Sequence, residues 1–210
     1  MSDDHKPTPI PDRDPEVVAF TKAATEATRE MSHGDIEARV VALAFAGDRE
    51  RYAQFVAALR EAIPPDVTIV IRGSAVIGCK WIDGSPFDAD GPGTSDLDLT
   101  LVGGEMLKLY TEDGFYIPKL HSVPLSEEHP HVCPSLTPLR RALCAIAHRP
   151  VNIQATSSIV QYGRDVLMDQ PYFTVLDAAD REDEREAYEA DRAARRARRE
   201  AERRGQGGSR

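Results

Sequence analysis

Residues 67–102 read VTIVIRGSAVIGCKWIDGSPFDADGPGTSDLDLTLV, and the fold depends on how this stretch is parsed. Residues 67–71 are a β-branched run suited to a buried strand. The run ends in Gly73-Ser74, after which residues 75–81 can form a short helix or a loop. Asp83-Gly84-Ser85-Pro86 and Gly91-Pro92-Gly93 supply turn chemistry. Residues 95–102 form a second strand, closed by Gly103-Gly104. In that strand Asp96 and Asp98 alternate with Leu97, Leu99 and Leu101. The two-residue period puts both carboxylates on one face and the leucines on the other, toward a core.

Two like charges side by side repel. A divalent cation relieves that repulsion, and Mg²⁺ takes hard oxygen ligands. A Gly-Ser turn at a strand end offers backbone N–H groups and a hydroxyl to a phosphate, with glycine allowing close approach. The Asp-Leu-Asp triplet alone fits solvated acids at an exposed strand end, and Gly-Ser alone is common. Together they predict a phosphate-sized turn beside a cation-binding carboxylate pair. Two look-alike motifs fail. GSAVIGCKW has P-loop spacing between its glycines, but Cys79 precedes Lys80 and Trp81 replaces the metal-binding Ser or Thr. Asp88, Asp90 and Gly91 place glycine too early for an EF-hand loop.

Outward from this stretch the pattern alternates between helix and strand. Upstream, Asp48 is a helix N-cap for RERYAQFVAALREAI, whose Tyr52, Phe55, Val56, Leu59 and Ile63 form one apolar face. Pro64-Pro65 stops it. Residues 35–47 and 15–31 are two further helices, the latter with Val17, Val18, Phe20, Ala24 and Met31 as its apolar face. Residues 1–14, with Pro7, Pro9 and Pro11, read as a disordered leader. Downstream, residues 105–135 form a long segment with a short strand at Phe115-Tyr116-Ile117, and its length suggests a functional insertion. Residues 137–147 are helical. VNIQAT (151–156) is a third strand with Asn152, Gln154 and Thr156 on one side and Val151, Ile153 and Ala155 on the other. A short helix over 159–168 and an apolar segment at 171–176 follow.

The composition narrows the function classes. A chain of 210 residues suffices for one domain with appendages, here 15–176 with its core in 50–176 and a tail over 177–210. A net charge of -9 excludes a surface that is basic throughout. No apolar run reaches the ~20 residues that span a bilayer, and the first residues lack a secretory signal. No membrane partner and a cytoplasmic location are therefore expected. Cys79, Cys133 and Cys144 contain no CxxC pair, against a disulfide framework or four-cysteine zinc site. His121, His129 and His131 near Cys133 match no strong zinc spacing. The tail is a charge-polarised helix, net -5 over residues 177–193 and +5 over 194–210. It reads as a solvated helix, or as a basic end that meets nucleic acid or an acidic partner.

RGSAV followed by SDLDLTLV resembles the DNA polymerase β-type nucleotidyltransferase superfamily, with the likeness extending over residues 50–176. That resemblance implies an α+β fold, a small mixed sheet flanked by helices, here with an N-terminal helical extension and a charged C-terminal helix. It implies that Gly73 and Ser74 bind the phosphates of a nucleoside triphosphate, with Ser95 in the nucleotide set. Asp96 and Asp98 would hold two Mg²⁺ or Mn²⁺ ions. An acceptor hydroxyl, on an RNA end, a protein or a small molecule, would attack the α-phosphate and expel pyrophosphate. Arg72, Arg140 and Arg141 are further phosphate candidates. The sequence departs from the family pattern twice. Gly73 and Asp96 are 23 positions apart, longer than usual, which makes Lys80 and Asp88 in the extra loop candidate substrate contacts. The third carboxylate is replaced by Asn152, a neutral ligand that weakens metal binding unless Asp113 or Asp165 compensates. A nucleotide- or partner-binding module that has lost turnover is the alternative.

Overall fold

The computed structural model describes residues 13–165, 167 and 169–206, so the leader expected over 1–14 lies outside the described residues except for its last two. Among the described residues the chain is an α+β fold with eight α-helices and one six-stranded mixed sheet. Helices α1 (Pro15–Arg29), α2 (His33–Ala44) and α3 (Arg49–Ala62) precede β1 (Thr68–Arg72). After the short α4 (Ser74–Ile77) come β2 (Leu97–Val102), α5 (Gly104–Leu107), β3 (Phe115–Ile117) and β4 (His121–Ser122). Helix α6 (Thr137–Ala147), β5 (Val151–Thr156), α7 (Ile159–Asp165), β6 (Phe173–Leu176) and α8 (Glu182–Gln206) complete the chain. The strand order is β3-β4-β5-β2-β1-β6. Only β2 and β5 run parallel; the other neighbours are antiparallel.

Register sorts the side chains by face. Arg72 pairs with Asp98 across β1 and β2, and Asp98 pairs with Asn152 across β2 and β5. Thr100 opposes Gln154 on the same face. Ile69, Ile71, Leu97, Leu99, Leu101, Val151 and Ile153 fall on the other face and are fully buried. They join Phe55 and Leu59 of α3 and Leu143 of α6 in one core. Strands β2 and β5 are thus oily on one side and polar on the other, while β1 places the buried Val70 opposite Thr100 on the polar side. The alternation of the β2 and β5 sequences produces this division.

The helix termini follow local chemistry. Asp48 accepts from the Arg51 N–H at 2.9 Å and starts α3. Where α3 ends, the buried Arg181 donates to the carbonyls of Arg60 (3.2 Å), Ile63 (3.4 Å) and Pro64 (3.4 Å), satisfying acceptors that the helix cannot. Beyond Arg185 the side chains of α8 are exposed through residue 202.

Helix α1 departs from expectation. Its buried residues are Thr21, Thr25 and Thr28, while Val18 and Phe20 are exposed. A threonine can be buried here because its hydroxyl finds a partner: Thr21 donates to the Val17 carbonyl and Thr28 to that of Ala24, each at 2.8 Å. Arg39 of α2 adds a donor to Thr28 at 2.8 Å. Helix α2 also contributes Val40 and Ala44 to the main core, so the N-terminal helices pack into the domain itself. Among the described residues no helix is long and apolar enough to cross a membrane.

Candidate functional site

The polar face of the central strands ends in a cluster at the point where β1 turns into α4. Gly73 has φ 76° and ψ -151°, a conformation open to glycine and strained for other residues. A Cβ built on it would lie 3.1 Å from Oδ2 of Asp98. The Gly73-Ser74 turn therefore sits directly against the carboxylate pair. Gly73→Ala is expected to cost about 1–3 kcal/mol from backbone strain and to push the Asp98 carboxylate aside. A shift in the urea midpoint with unchanged slope would report the first effect.

Asn152 connects the two acids. Its Nδ2 donates to Oδ2 of Asp96, and to Oδ1 of Asp98 at 3.2 Å. Arg72 takes the other oxygen of Asp98, Nη1 to Oδ2 at 3.3 Å, and its Nη2 donates to Oε1 of Gln154 at 3.1 Å. Tyr162 of α7 donates to the same Gln154 oxygen at 2.8 Å and lies 3.0 Å from Oγ1 of Thr100. A buried polar network thus props the guanidinium from beneath. Burial disfavours the charge on Arg72, but Asp98, Tyr162, Asp96 and Tyr116 together outweigh it and raise the guanidinium above its ordinary value.

The Asp96 carboxyl is raised above its ordinary value, first by withdrawal from water and then by the charge of Asp98, against the pull of Asn152 and Arg72. A carboxyl whose folded pKa is raised binds its proton more tightly in the folded state. Its contribution to stability is complete below the ordinary carboxylate range and is lost as pH rises through the folded value. At neutral pH the ionised Asp96 is therefore a local cost.

Compared with known protein families, characterised proteins and solved structures, the chain finds no match. Its chemistry is argued from its own residues.

Beside the carboxylates opens a cavity of about 260 Å³, lined by Asp96, Asn152, Tyr116, Arg140, Glu127 and Glu128 among others. Part of its wall comes from the 105–135 segment. There β3 and β4 extend the sheet beyond β5 and bring Tyr116 to the site. Arg140 is anchored by its Nε, which donates to the Val151 carbonyl at 2.7 Å. Arg141 is exposed on α6.

Other candidates lie elsewhere. Ser95, expected at the nucleotide, is buried: its hydroxyl accepts from the Asp88 N–H, and its own N–H donates to Oδ1 of Asp88, both at 2.8 Å. Asp88 in turn is paired with Arg149 rather than offered to a substrate. Lys80 is paired with Asp90 at 2.8 Å within the loop. Asp113 lies against His131, with 3.7 Å between their polar atoms, and the side chain of Asp165 is outside the description. His121 is buried with Nδ1 2.9 Å from Oγ1 of Thr156, so it serves the sheet interior.

Among the described residues no group of three or more His, Cys, Asp or Glu side chains is placed to hold a metal. At the carboxylate pair the available donors are four carboxylate oxygens and the amide oxygen of Asn152. These hard ligands suit Mg²⁺ or Mn²⁺ when phosphate oxygens and water complete the shell. Arg72 was singled out in sequence only as a phosphate contact. Its pairing with Asp98 follows from the β1–β2 register, which the residue pattern does not disclose.

Proposed function

We propose that the protein transfers a nucleoside monophosphate from a nucleoside triphosphate to an acceptor hydroxyl, as the nucleotidyltransferases it resembles do. The observation that carries this is the approach of Gly73 to Asp98, 3.1 Å from a built Cβ to Oδ2, which brings the Gly-Ser turn and the Asp-Leu-Asp strand into one site. Gly73 and Ser74 take the terminal phosphates through backbone N–H groups and the serine hydroxyl. Asp96 and Asp98 hold the divalent cation. When bound, that cation neutralises phosphate charge and lowers the pKa of the acceptor hydroxyl. Arg72 adds fixed positive charge beside Asp98. The acceptor sits in the cavity between Tyr116, Arg140 and Asp96. Its oxygen forms a bond to the α-phosphorus, the bond to pyrophosphate breaks, and the hydroxyl proton passes to solvent. A cytoplasmic setting, which supplies nucleoside triphosphates and Mg²⁺, fits this use.

The test is label transfer. The full chain is incubated with each of the four α-labelled nucleoside triphosphates, Mg²⁺ or Mn²⁺, and a cell extract supplying RNA, protein and small-molecule acceptors. Covalent label that disappears on chelation with EDTA is expected. No label with any nucleotide would overturn the proposal. The donation of N–H groups by Asn152 to both aspartates favours a second reading, a nucleotide- or partner-binding module without turnover. That reading predicts nucleotide binding with no label.

A further inference from the structure

We propose that α8 docks antiparallel on the α8 of a second copy of this chain, its acidic half against the partner's basic half. The pairing does not depend on the nucleotide site.

Helix α8 is rooted on the domain by one side. Arg181, just before it and 3% exposed, donates to the carbonyls at the end of α3, and Glu184 accepts from Nε of Arg181 at 2.9 Å and from Arg60. Arg185 and Arg192, four and eleven residues past Arg181, continue the same side of the helix. Arg192 lies near enough to Glu105 of α5 that its charge helps hold that carboxyl below its ordinary value, after the stronger pull of Lys108. Opposite this side stand Ala187, Ala190, Ala194, Ala197 and Ala201, spaced by three, four, three and four residues. That is the repeat of a two-helix seam. It faces away from the domain, and every side chain over 186–202 is exposed.

Charge decides what covers this face. Residues 182–193 carry six acids and two arginines, and residues 194–206 carry six arginines and two acids. A twofold axis presents the same surface from both partners, so a surface that docks on its own copy must be self-complementary. Antiparallel helices meet that condition, because each acidic half lies along a basic half. A parallel pair would set like charges together. In the register that layers Ala190 on the partner's Ala201 and Ala194 on the partner's Ala197, Asp191 lies beside the partner's Arg198. The small alanines let the backbones approach until such flanking charges meet. Exposed ion pairs are individually weak, so the association depends on the whole row and is sensitive to salt.

A nucleic acid would be drawn to residues 194–206 but repelled by residues 182–193 and by the chain's net charge of -9. A second copy satisfies both halves at once.

The full chain is taken through sedimentation equilibrium over about 1–500 µM, in about 0.05 M and about 1 M NaCl. A concentration-dependent dimer is expected at low salt, with a dissociation constant at least about tenfold larger at high salt. Two reversed chains follow, Glu186→Arg/Glu189→Arg/Asp191→Arg and Arg195→Glu/Arg198→Glu/Arg199→Glu. Each alone is expected to remain monomeric over the same range, and the two mixed are expected to form a heterodimer. A natural chain that stays monomeric throughout at low salt would overturn the proposal. So would a dimer indifferent to salt, or one that persists in both reversed chains, since its interface would lie elsewhere. Reversed chains that keep their helix by circular dichroism and ignore each other would also overturn it. If a reversal frays α8, the salt series of the natural chain decides alone. A monomeric natural chain that retains labelled oligouridine would give the basic half to nucleic acid instead.

Discussion

Replacing Asp96 and Asp98 together with alanine is expected to abolish label transfer, a loss on the order of 10³-fold or more. The two side chains stand together at the Gly73 turn, Asp98 3.1 Å from a Cβ built on Gly73 and Asp96 bridged to it by Asn152. Without them the proposed cation has no seat, Asn152 loses both carboxylate acceptors and Arg72 loses Asp98. The folding cost is expected to be smaller, about 1–2 kcal/mol. Arg72 keeps Gln154, and removing the two anions ends both the burial of the Asp96 charge and its repulsion by Asp98, which raise that carboxyl. Circular dichroism melting of the double variant separates the two effects. A variant that melts near the natural temperature yet has no transfer ties the chemistry to these carboxylates. Transfer at the natural rate would place it elsewhere in the chain.

The largest effect on stability is expected from Arg149→Ala, about 3–5 kcal/mol. Arg149 is 6% exposed and makes a two-pronged ion pair with Asp88, Nη1 to Oδ1 at 3.0 Å and Nη2 to Oδ2 at 3.1 Å. It also donates to the carbonyls of Ser95 (3.0 Å), Ala44 (2.9 Å) and Leu43 (3.2 Å), and its guanidinium lies 4.7 Å from the centroid of the Phe87 ring. One side chain thus ties the end of α2, the long loop and the start of β2. Truncation leaves a largely buried anion and three carbonyls short of donors. Burial alone would raise the Asp88 carboxyl, but Arg149 and the N–H groups of Gly93 and Ser95 overcome it and hold it below its ordinary value. A depressed carboxyl contributes stability above the ordinary carboxylate range and loses it as pH falls through the folded value. Urea unfolding at neutral and at acid pH should therefore show the Arg149 contribution shrinking with acid. A neutral-pH loss below about 1 kcal/mol would refute the clasp as a stabilising element.

The clasp also explains why the loop could not be interpreted from its own residues. Asp88 and Ser95 sit among Gly, Pro and Asp, where acids and hydroxyls are ordinary turn components. Arg149, their partner, is 61 positions from Asp88. Nothing in either segment names the other, since a buried ion pair has no local periodicity. The threonine face of α1 was obscured for a related reason. Hydrophobicity selects Val18 and Phe20 as the buried face, whereas the observed face is chosen by partners for hydroxyl groups on α2 and within the helix itself.

Strand periodicity was more informative. The alternation in residues 95–102 and 151–156 set Asp96, Asp98 and Asn152 apart from Leu97, Leu99, Leu101, Val151 and Ile153, which are fully buried, whereas 67–71 read as a buried β-branched run without alternation. Side-chain alternation is local geometry, so a sequence can carry it unaided. Which strands become neighbours is a different question, decided by how the whole apolar face is covered by α3 and α6. Only that packing sets Arg72 opposite Asp98, folds Tyr116 and the 105–135 segment into a cavity wall, and turns Asn152 into a bridge between two acids. The sequence by itself determined the chemical groups and the faces that carry them. The tertiary structure decided which groups touch, because contacts between distant segments depend on strand pairing and core packing that no local pattern specifies.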